Sequence, residues 1–189
     1  MHALVRVEFD MDAVTIFYAS AAVLLVIAGA AKAIRPATTA ALMEMLGAYL
    51  RRSVPGTHLA RALGLAEITL GIATLLTDVA ALRAVVGVLY VVFAIAVWRA
   101  ISVGAESCGC FGRVDAPPTW LHVLGNLALA VCSFGSLGGR SPLDVMEDQP
   151  AAGVGFVAAV GVLAGLELVV FTALPEVLEA RKPNQATGS

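Results

Sequence analysis

Two cysteines one residue apart, in Ser107-Cys108-Gly109-Cys110-Phe111-Gly112, form the only dense group of reactive side chains in this chain. Thiols beside flexible glycines suit redox or thiol-transfer chemistry, because the backbone lets the sulfurs approach each other or a partner. A Cys-x-Cys disulfide closes a very small ring, so its bond is strained and readily reduced, which fits a relay better than a staple. Arg113 favours the thiolate form. Zinc is a weaker reading: Cys108, Cys110 and His122 supply three of the four ligands a closed site needs, so no metal is assigned. The third cysteine, Cys132, lies within an apolar run and reads either as a small filler or as a relay thiol.

A second group of polar residues interrupts the hydrocarbon itself: Lys32, Glu67, Asn126 and Glu167. An unpaired carboxylate in lipid costs several kcal/mol or takes up a proton, so Lys32 is the expected countercharge. The group could bind a small polar solute, a proton or a quinone head group. Each member also has a plain structural reading: an ion pair for Lys32 and Glu67, interhelical hydrogen bonding for Asn126, and reach to water for Glu167.

These residues need a scaffold, and composition names it. Hydrophobic residues make up 59% of the chain and charged ones 14%, a balance outside that of soluble domains. With a net charge of −2 and no Lys/Arg run longer than Arg51-Arg52, nucleic acid is excluded as a partner. The partner is the lipid bilayer.

Five stretches have the ~20 apolar residues that a hydrocarbon core demands: Val14–Ile34, Thr57–Thr77, Val79–Ile101, Trp120–Leu137 and Ala151–Leu174. Backbone groups in lipid must pair internally, so all five are expected as helices of an all-α, polytopic transmembrane bundle. The second and third, joined by little more than Asp78, form a tight hairpin, and Arg83 is expected to snorkel to the interface. Trp98 and Trp120 read as interface anchors. Leu42, Met45, Leu46, Tyr49 and Leu50 suggest a short interfacial helix over Ala37–Leu50. Residues 1–13 form a short amino-terminal segment without the basic flank of a signal peptide, and Met11 is an alternative start. Residues 138–150 read as a polar connection and 175–189 as a polar tail.

Alternating the connections puts nine cations, including Lys32, Arg35, Arg61, Arg99 and Arg113, on one face and Arg6, Arg83 and Arg140 on the other. That bias places the amino terminus outside and the Cys108/Cys110 loop in the cytoplasm, in a multi-pass cell-membrane protein. Counted from the span ends, Glu67, Asn126 and Glu167 lie roughly 9–15 Å below the cytoplasmic edge, at one level, and are expected to face one another.

The residues Ala28-Gly29-Ala30-Ala31-Lys32, Ala66-Glu67 with Gly71, Cys108-Gly109-Cys110-Phe111-Gly112, and Asn126 with Leu127 and Leu129 resemble the methylamine-utilisation MauE family, a branch related to the DoxX-like membrane proteins. The resemblance covers about residues 14–137. It implies a four-helix membrane core, with the 151–174 span an addition, and an accessory role in maturing a methylamine dehydrogenase. The small subunit of that enzyme carries many disulfides and an oxidised tryptophan cofactor, and a thioredoxin-like protein is the implied companion. The alternatives are a binding or transport protein that uses the Lys/Glu/Asn group, and a purely structural membrane anchor.

Overall fold

The computed structural model describes residues 2–45, 55–105, 117–148 and 153–173, with backbone alone for residues 2–12 and Met45. Among the described residues every regular element is helical: α1 (His2–Ile34), α2 (Pro36–Met45), α3 (Gly56–Leu76), α4 (Ala80–Ser102), α5 (Trp120–Gly135), α6 (Pro142–Asp148) and α7 (Val154–Thr172). Five segments are long and apolar enough to cross a membrane: Ala13–Ile34, Gly56–Leu76, Ala80–Ser102, Trp120–Gly138 and Val154–Thr172. Apolar residues surround these helices on all sides, as lipid on one face and protein on the other require.

The expected amino-terminal segment continues α1 back to His2, and the expected interfacial stretch forms α2 as far as Met45. The 138–150 connection holds more than polar chain. Ser141 and Asp144 cap α6 reciprocally, with Ser141 N–H donating to Asp144 Oδ2 at 3.2 Å and Asp144 N–H to Ser141 Oγ at 3.1 Å. These hydrogen bonds hold the exposed Asp144 carboxyl below its ordinary range. Val145 on this helix is buried in a cluster with Ala19, Phe156 and Val160.

Helices α1 and α3 run antiparallel in close contact. A Cβ on Gly29 would lie 2.5 Å from the Gly64 carbonyl oxygen, and one on Gly64 equally close to that of Gly29, so only glycine permits this approach. Around this pair, Leu24, Leu25, Val86, Tyr90, Leu129 and Phe171 build a core from α1, α4, α5 and α7. The Tyr90 hydroxyl donates to the Ala21 carbonyl at 2.6 Å, satisfying a polar group that lipid would leave unpaired.

Arg83 departs from expectation. It does not snorkel to water but is turned inward, 1% exposed. Its Nη1 donates to the carbonyls of Ser136 and Gly139 at 2.7 and 2.9 Å, its Nη2 pairs with Asp78, and its guanidinium lies 5.7 Å from the Tyr18 ring centroid. The Ser136 carbonyl, which already accepts the Gly139 N–H at 3.0 Å, and the Gly139 carbonyl close the 3-10 turn Ser136–Gly138 that follows α5, and the buried cation donates to both. Trp98 and Trp120 are both exposed, where interface anchors belong.

Candidate functional site

Lys32 occupies the last turn of α1. Helical side chains lean toward the amino terminus of their helix, so its long stem points back into the bundle instead of out of it. Glu67 on the antiparallel α3 leans the opposite way, and the two meet: Nζ donates to Oε2 at 2.7 Å, with side-chain exposures of 6% and 0%. The ammonium also sits 5.1 Å from the Phe93 ring centroid. Glu67 Oε1 has no hydrogen-bond partner.

The other two members of the expected group lie apart from this pair. Asn126 is buried, but its side-chain amide donates to the His122 carbonyl of its own helix at 2.6 Å. Glu167 accepts or donates at Ser20, 2.9 Å away, and Ser20 is a little over three turns from Lys32, about 18 Å along α1. The depth estimate erred because α7 is offset along α1, which a count from the span end does not register. Glu67 and Glu167 do share one neighbour, since both act electrostatically on the Tyr90 hydroxyl.

His122 is committed to structure. Its Nδ1 accepts the Thr119 backbone N–H at 3.2 Å, in a capping box that starts α5, so its Nε2 carries the hydrogen that Phe171 O accepts at 2.7 Å. Both ring nitrogens are thereby occupied, tying the start of α5 to the end of α7. Cys132 is a half-buried free thiol on α5. Among the described residues no group of three or more metal-ligating side chains occurs.

Cys108 and Cys110 lie outside the described residues, and so does Arg113. The ends of their loop are well defined. At α4 the chain stops in a Schellman motif: Ala105 N–H bonds to Ala100 O at 2.9 Å, Gly104 N–H to Ile101 O at 3.2 Å, and Gly104 takes a φ of 67°. At α5 the Thr119–His122 box restarts the helix. The cysteine pair follows α4 and precedes α5 in the sequence, with Lys32 in the last turn of α1 and the exposed Arg99 in the last turn of α4.

A family model described as "Methylamine utilisation protein MauE" matches residues 10–138. The chain belongs to the MauE family. No curated protein and no solved structure matches it. The MauE match spans α1 to α5 together with the cysteine loop, Lys32, Glu67, Asn126 and Cys132. Helices α6 and α7, with Glu167, lie beyond it.

Sequence reasoning missed the inward role of Arg83 and the partnership of Ser20 with Glu167. Asp78, five residues before Arg83, was the available signal for the first. A single serine in an apolar run gives no signal for the second.

Proposed function

We propose that this MauE-family membrane protein exchanges thiols and disulfides with a partner protein through Cys108 and Cys110. The observation that supports the reading is a Cys-Gly-Cys pair within the family match, in the sequence between α4, which ends in a Schellman motif, and α5, which starts with a capping box. One cysteine attacks a partner disulfide as thiolate and forms a mixed disulfide; the other displaces the partner, leaving Cys108–Cys110 oxidised and the partner carrying two thiols. Run backward, the same steps oxidise a partner dithiol. By family, the client is the disulfide-rich small subunit of methylamine dehydrogenase and the companion is a thioredoxin-like protein. A membrane quinone is the proposed two-electron counterpart. Lys32, Glu67 and Asn126 are not assigned to hold it, because the first two are closed on each other and the third is turned to its own helix.

The cation bias puts the loop in the cytoplasm, where thiols rest reduced. Maturation of an exported subunit requires the cysteines outside or able to communicate across the membrane. Impermeant thiol labelling of intact cells, with variants keeping one loop cysteine, separates the two. Labelling that appears only after mild reduction places an oxidised pair outside; labelling only after permeabilisation places it within. In either case Cys108→Ser and Cys110→Ser should change partner oxidation, with one of them accumulating a mixed disulfide. Unaltered partner oxidation in both variants would remove the thiol reading.

A further inference from the structure

Ser20 sits mid-way along α1 and faces Glu167 of α7. Its Oγ lies 2.8 Å from the Phe17 carbonyl oxygen and 2.9 Å from Glu167 Oε1. A serine hydroxyl has one hydrogen to donate and lone pairs with which to accept. The Phe17 carbonyl can only accept, and the one serine hydrogen can serve only one of the two contacts. Both contacts hold a hydrogen only if the carboxyl group supplies the second. An ionised carboxylate would leave one of them with lone pair against lone pair.

Charge leads to the same place. Lys32 neutralises Glu67, and Arg83 neutralises Asp78. Glu167 has no ion-pair partner among the described residues. Ser20 from α1 touches it, and the groups within its electrostatic reach are the Tyr90 hydroxyl from α4, which also feels Glu67 of α3, and the Cys132 thiol from α5, none of them a cation. A lone carboxylate within the hydrocarbon region is costly, and binding a proton removes the charge. Glu167 Oε2, buried without a partner, is then the carbonyl oxygen of a neutral acid and not half of an anion.

We propose that Glu167 is a proton-binding site inside the membrane, whose proton is donated to Ser20 and fastens α7 to α1. The seam beside it packs through Ala19, Phe156 and Val160 and opens into a groove of about 470 Å³, lined by Ala13, Phe17, Ala159, Leu163 and Leu166 among others, so that bond is the polar fastening of a partly open seam. Loss of the proton removes the donor, leaves an anion in the seam and loosens α7. Glu167 lies beyond the MauE match and Ser20 within it, and the proposal uses neither Cys108 nor Cys110.

The test is infrared spectroscopy of the full-length protein in lipid nanodiscs. At neutral pH the protonated-carboxyl stretch should be present in the wild type, vanish in Glu167→Gln, persist in Glu67→Gln and shift in Ser20→Ala. Glu167→Gln retains a donor for Ser20 and should stay folded. As a measurement free of any substitution, raising the pH on the wild type should bleach the band while hydrogen exchange of the α7 backbone accelerates beyond its intrinsic base catalysis. Loss of carboxylate intensity in Glu167→Gln with the protonated band unchanged would overturn the proposal. So would α7 exchange that ignores the bleaching of the band.

Discussion

Helix α1 has two very different neighbours. Against α3 it packs backbone to backbone at Gly29 and Gly64, and a buried ion pair, Lys32–Glu67, closes one end of that seam. Against α7 it shares a buried cluster of Ala19, Phe156 and Val160, leaves a groove of about 470 Å³ beside it, and adds one side-chain hydrogen bond, Ser20–Glu167. In lipid no hydrophobic force drives helices together, because tails are as apolar as leucine; close packing and hydrogen bonds must do it. The first seam uses both and lies within the family match. The second packs through side chains without a close backbone approach, opens into a groove, and lies partly beyond it. The contrast separates a rigid core from a helix docked more loosely onto it.

The largest break in this contrast should come from Gly64→Leu. A side chain there starts 2.5 Å from the Gly29 carbonyl, so α1 and α3 must separate, and separation also parts Lys32 from Glu67. Overpacking costs about 1–3 kcal/mol and a broken buried pair about 3–5 kcal/mol, so the variant should lose the folded core in detergent. Thermal unfolding followed by helical circular dichroism measures it. Near-wild-type stability would show that the glycines do not hold the seam.

Removing one ion alone should cost nearly as much, because the other is left buried without its countercharge and must either keep an unpaired charge or titrate to lose it. Lys32→Met is expected to destabilise by about 3–5 kcal/mol, and the double variant Lys32→Met/Glu67→Leu to recover most of the loss. A double variant no more stable than the single would mean that the pair contributes more than its own neutralisation.

The helices themselves were legible because lipid leaves the backbone no alternative; the five expected spans agree with the observed ones to within a few residues at each end. Lys32, Glu67, Asn126 and Glu167 stood out for the same reason, as polar groups where water is absent. What the sequence did not disclose is rotation and offset. Residue counts give depth, but Asn126 turns to its own helix and α7 slides along α1 until Glu167 meets Ser20, both consequences of packing between distant segments. Arg83 was misjudged because its carbonyl acceptors, Ser136 and Gly139, lie more than fifty residues away. The short α6 was hidden by its polarity, although Ser141 and Asp144 spell its cap.

The smallest effect sharpens the comparison from the loose side. Ala159 lines the α1–α7 groove and is only partly buried, so Ala159→Leu adds three carbons to a space that protein does not fill. In a soluble core, filling a cavity commonly adds about 0.5–2 kcal/mol. Here the groove opens to lipid, and the new side chain exchanges one apolar neighbour for another, so the gain should stay below about 1 kcal/mol. Its direction is what matters. If α7 is held chiefly by Ser20–Glu167, added packing should slow hydrogen exchange in α7 more in Ser20→Ala than in wild type, since the weakened seam has more to recover. Equal slowing in both backgrounds would show that packing and the polar contact act independently, and that the second seam is less dependent on Ser20–Glu167 than its geometry indicates.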